Sequence, residues 1–205
     1  MRWIVNEWRT CMQFYKKDVH KMTLLCGMFF IAISVILAML LCLNKDVLSQ
    51  GYTWLLSLFE GKDLDVDSIS ALDLFKNNSF ACLYTMGMGF IPFFYVGILS
   101  LVLNALSVSI LAAVYIVEDM SLLMFFAGII PHGIFELPSI FIALALSFIT
   151  CKKMTHTITG KIKDFNILQH FYHCIQIFVF IILPLLVLAA CIEAYITPIC
   201  MQWFM

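Results

Sequence analysis

From position 79 to 117 the chain carries no Asp, Glu, Lys or Arg for 39 consecutive residues. One helix of that length would reach about 58 Å, nearly twice the roughly 30 Å of a bilayer's hydrocarbon core. The run therefore folds as two crossings, or as one crossing plus a buried helix. Three further apolar runs have membrane-crossing length. Positions 22–43 hold no charge, 122–150 hold one carboxylate, Glu136, and 174–195 hold one, Glu193. The chain is 63% hydrophobic and only 12% charged, against about 45–50% and about 25% for soluble domains. This reads as a single membrane domain over 1–205, all-α, with no sizeable soluble part.

Charge placement predicts the topology. Arg2, Arg9, Lys16, Lys17 and Lys21 cluster before the first run. The 151–173 segment holds Lys152, Lys153, Lys161 and Lys163 against Asp164. The 44–78 segment is acidic. Cations mark the cytoplasmic side, so the N-terminus and 151–173 read as cytoplasmic and 44–78 as extracytoplasmic. An odd number of crossings must lie between those two loops. The predicted layout is a polytopic helical bundle of about five transmembrane helices: 22–43, 79–99, 101–117, 122–150 and 174–195. The C-terminus is then extracytoplasmic. Ile4, Trp8, Cys11 and Tyr15 share one helical face, and with the basic residues they predict an interfacial helix over 1–21. That leader does not read as a cleavable signal peptide. In the outer segment, "GYTWLLSLFEG" reads as a short amphipathic helix ended by Gly61, and Ser68 reads as the cap of a second. Asp63, Asp65 and Asp67 lack the glycine and distal glutamate of a calcium loop and read as a solvated turn. The eight cysteines form no CxxC pair and predict no disulfide framework.

The stretch "GIIPHGIFELPSIFIA" places polar and helix-breaking residues inside the fourth run. Pro131 is the tenth residue of that run, near the midplane. Each proline removes a backbone donor, and Gly133 permits a bend and a close approach. The expectation is a fourth helix broken at 131–138. His132 and Glu136 are four apart and share a helix face. Ionisable groups in the membrane turn to the bundle interior. The pair has three readings: a lock on the kink, a coupling or interaction element, or a proton or ion site. The spacing is not HExxH, and no metal is assigned. Asn104 predicts an interhelical hydrogen bond. Glu193 lies near the end of the last run, toward the outer face, so it is not expected to meet Glu136. "HFYHC" places His170, His173 and Cys174 on one face, with His156 nearby, and reads as interfacial rather than metal-binding. No catalytic residues, cofactor or nucleotide motif are assigned, and the chain does not read as an enzyme.

"NNSF" around Asn77 and Asn78, "LNALSVSI" around Asn104, "PHGIFELPSIFIA", and "IEAYITP" ending at Pro198 occur in an order and spacing that resemble the stage II sporulation protein M superfamily. The chain departs from that pattern at "NALS", where many relatives carry Asn-Gly. The resemblance implies one of two roles. One branch scaffolds peptidoglycan hydrolases during sporulation engulfment. The other comprises small membrane proteins of circular-bacteriocin clusters, which act with an ATP-binding-cassette (ABC) ATPase in maturation, secretion or immunity. The motif as written here fits the second better. Pro131, His132, Gly133, Glu136 and Pro138 are then the coupling or interaction motif. The partners implied are membrane lipid, a cytoplasmic ABC-type ATPase, other membrane subunits, a hydrophobic peptide substrate and a second copy of the chain, with no nucleic acid.

Overall fold

The structure is a computed structural model that describes residues 2–60 and 70–204. Asp63, Asp65, Asp67, Gly61 and Ser68 lie outside the described residues. Among the described residues all regular structure is helical, and four helical stretches are long and apolar enough to cross a membrane. The chain is an all-α polytopic membrane protein.

Helix α1 (Arg2–Phe14) runs through a π-helical turn (Tyr15–Val19) into α2 (His20–Leu43). On α2 the buried residues Thr23, Cys26, Phe30, Ser34 and Leu41 form one stripe. Leu24, Met28, Ile31, Val35 and Met39 are exposed and compose a lipid-facing side. Asn44 breaks the helix in an extended conformation. Its Oδ1 accepts from the Val47 amide at 3.2 Å, which caps α3 (Lys45–Glu60). This helix starts earlier than "GYTWLLSLFEG" suggests. Leu48 and Leu55 pack with Leu41 of α2 and Ile110.

Helix α4 (Ala71–Met88) begins at Ser70, whose Oγ accepts from the Asp73 amide. An irregular segment, 89–97, leads to α5 (Ile98–Val117). The expected crossing at 79–99 is therefore corrected: the helix ends at Met88, eleven residues sooner, and the next begins at Ile98. The uncharged run held no charge to mark its turn. "GMGFIPFFYVG" did mark it, because Pro92 and the glycines cannot extend a helix cheaply. Phe93 and Tyr95 adopt positive φ there, 69° and 47°. The turn is tied to the end of α6 by the Phe93 amide donating to Thr155 Oγ1 at 2.9 Å. Helix α4 packs along α6 and α8, but its polar first half keeps it out of the set of four strongly apolar stretches.

Helix α6 (Leu122–Ile158) is 37 residues long, with Pro131 and Pro138 inside it. The expected break at 131–138 is not there: the helix is continuous through both prolines. Each proline forfeits one hydrogen bond, while the surrounding ladder persists because unsatisfied backbone in hydrocarbon costs several kcal/mol. The surplus length is used for pairing. Helix α6 lies against α7 (Ile167–Ile177), a π-helical turn (Phe178–Ile182), α8 (Leu183–Tyr195) and α9 (Thr197–Gln202). Pro184 follows that π-turn, where its missing donor is absorbed by the shifted ladder. Ala143, Leu144, Ala145 and Leu146 are all fully buried, so α6 is the central helix of the bundle. Gly89 packs on it so closely that an added Cβ would lie 2.5 Å from the Ser147 carbonyl oxygen. All eight cysteines are free thiols.

Candidate functional site

His132 and Glu136 lie one turn apart on α6, with His132 Nε2 3.9 Å from Glu136 Oε2. The register of α6 against α8 and α9 brings Glu193 to the same place. Ligating atoms of His132, Glu136 and Glu193 all lie within 4.8 Å of one another. The expectation that the two carboxylates stay apart is overturned. It rested on ending the last span at Tyr195, whereas α9 continues the packing and meets the start of α6, where Met201 lies over Gly128. Glu193 is therefore not at an outer end but opposite Glu136.

Thr197, at the start of α9, completes the group. Its hydroxyl donates to the Ile192 carbonyl at 3.3 Å and lies 3.4 Å from His132 Nδ1. His132 thus presents Nδ1 to Thr197 and Nε2 to Glu136. Among the described residues, no lysine or arginine pairs with Glu136 or Glu193; the partner of Lys76 is Asp73.

Glu136 also opens onto a cavity of about 120 Å³ between α4, α5 and α6. Asn77, Asn78 and Thr85 line it from α4, and Ser100 and Asn104 from α5. The sequence-predicted residues Asn77, Asn78, Asn104 and Glu136 thus converge on one polar chamber. Among the described residues, the hydrogen bond of Asn104 is within its own helix rather than between helices. Its Nδ2 donates to the Ser100 carbonyl of its own helix at 2.8 Å, and the link between helices is Thr85 Oγ1 to Ser100 Oγ at 3.0 Å. Gly133 is buried, but a Cβ there would meet only Ile129 and Leu137, at ordinary distances of 3.6 and 3.8 Å. The close approach expected at Gly133 belongs instead to Gly89. Pro131 and Pro138 stand in the helix beside the cluster. Pro198 opens α9 directly after Thr197.

The opposite end of the bundle is built by α1, the end of α6 and α7. Phe14 stacks on His173 at 4.8 Å, Lys153 Nζ lies 5.5 Å over the Phe14 ring, and Tyr172 donates to Glu7 at 2.8 Å. Gln176 also bonds Glu7. His170 is buried with its Nε2 2.9 Å from Thr150 Oγ1. Thr150 also donates to the Leu146 carbonyl of its own helix. These contacts pack His170 and His173 between α1, α6 and α7.

The order of motifs along α4, α5, α6 and α8 now has a structural meaning, since they enclose one chamber and one ionisable cluster in an apolar bundle. The family model for Stage II sporulation protein M matches residues 23–198. The chain belongs to that family. No curated protein and no solved structure matches it.

Proposed function

We propose that the chain is a non-enzymatic, integral-membrane subunit of a complex that matures, exports or gives immunity to a membrane-active, circular bacteriocin-like peptide, driven by a separate ABC-type ATPase. The observation that carries this reading is the basic platform at the α1–α7 end. Lys16, Lys17, Lys21, Lys152, Lys161 and Lys163 are exposed there, on elements that pack directly on one another. Such a surface suits the acidic face of a cytoplasmic partner. It also suits the positive-inside rule, with the N-terminus and 151–173 in the bacterial cytoplasm. Counting α4 as a fifth crossing then carries the C-terminus to the outer side. The prolines and the ionisable cluster sit beside the α6–α8 contact, where a movement imposed at the platform would reach the chamber.

The test is a mild-detergent pull-down of the tagged chain from its host membrane, read by mass spectrometry. A stoichiometric ABC-type ATPase is expected. Peptidoglycan hydrolases without an ATPase would favour the engulfment scaffold instead. That reading draws on α3 at the other end, which exposes Trp54 and Leu56 as a docking face for enzymes outside the membrane.

A further inference from the structure

We infer that His132, Glu136 and Glu193 bind a divalent transition-metal ion inside the bundle. Three observations lead there. The first is geometric. Three ligating atoms from two helices lie within 4.8 Å of one another. Ligands about 2.1 Å from a tetrahedral zinc ion sit roughly 3.4 Å apart, so modest side-chain rotations bring the three onto one ion.

The second observation is the placing of His132. Thr197 Oγ1 stands 3.4 Å from Nδ1 and leaves Nε2 facing Glu136 Oε2 at 3.9 Å, a separation longer than a direct hydrogen bond and one that a cation can bridge. Hydrogen-bonding of the far ring nitrogen is also how metal-ligating histidines are held.

The third observation is charge and space. Two carboxylates side by side in a membrane bundle repel strongly unless a cation joins them, and among the described residues no lysine or arginine pairs with either. The polar chamber of about 120 Å³ bordered by Glu136 gives room for water beside one member of the cluster. One nitrogen and two carboxylate oxygens suit zinc or manganese. The missing fourth protein ligand leaves a position for water or a peptide carbonyl. The inference does not rest on the export reading, because a pull-down can fail while the metal binds.

The test uses the purified full chain, stripped with chelator and placed in lipid nanodiscs, with zinc alone as the probe. Calorimetry and metal analysis after desalting are expected to give about one zinc per chain. Glu193→Gln and His132→Ala are each expected to weaken binding by at least about tenfold, while His156→Ala leaves it unchanged. Cobalt in place of zinc is expected to give the intense visible bands of a low-symmetry, four- or five-coordinate site in the unaltered chain, a readout that needs no variant to fold. Absence of saturable zinc binding, equal affinity in Glu193→Gln and His132→Ala, or only the weak bands of hexa-aqua cobalt would overturn the inference, and would leave protons as the cations that neutralise the cluster.

Discussion

The hydroxyl of Thr197 donates to the Ile192 carbonyl and lies against His132 Nδ1. These two contacts close the junction of α8 and α9 and leave Nε2 toward Glu136. Thr197→Val keeps the shape and removes both contacts. It should lower stability by about 1 kcal/mol, read as a reduced Tm in detergent. It should also weaken zinc binding, because the imidazole loses the group that orients it. An unchanged Tm and zinc affinity would mean that the hydroxyl is not engaged as described. His132 and Glu136 could be paired from the sequence because they lie one helical turn apart. Thr197 and Glu193 could not be joined to them, since nothing local reports the register of two helices far apart in the chain.

At the scale of elements, glycine separates two kinds of contact. Gly89 lies against the backbone of Ser147, where a Cβ would come within 2.5 Å of its carbonyl oxygen. Gly89→Ala should therefore cost about 1–3 kcal/mol. Gly133 is inside a continuous helix with only ordinary contacts around its missing Cβ. Gly133→Ala should be neutral or raise stability by up to about 1 kcal/mol, the helix propensity of alanine over glycine. Thermal unfolding of the two variants in one detergent checks the pair, and the reverse ranking would contradict the packing. The same helix shows what sequence reading can reach. Long uncharged runs announced the helical bundle, while the caps at Ser70, Ser121 and Asn166 come from the structure. The prolines of α6 misled, because their local cost suggests a break while the apolar surroundings favour keeping the remaining hydrogen bonds. The turn at 89–97 carries no charge, so charge counting passed over it, and its signal lay in Pro92 and the flanking glycines.

At the scale of the whole molecule, a basic platform and a buried ionisable cluster stand apart on one helical bundle, with α6 running between them. If the platform docks an ATPase, reversing Lys161 and Lys163 to glutamate should reduce ATPase recovery severalfold and make the remainder less sensitive to salt. Zinc binding at the distant cluster should not change. Loss of both together would point to misfolding instead. The account depends most on the register of α6 against α8 and α9, for that register alone brings Glu193 to His132 and Glu136. Gly128 and Met201 approach to 3.4 Å on that register, counting from a Cβ added at the glycine. The decisive measurement is disulfide crosslinking of Gly128→Cys with Met201→Cys in native membranes. The background would carry serine at the less buried Cys42, Cys191 and Cys200. Rapid crosslinking under mild oxidant, with none between Met201→Cys and a cysteine at the lipid-facing Leu123, is the predicted result. No crosslink at Gly128, or an equal yield at Leu123, would contradict the register and dissolve the site.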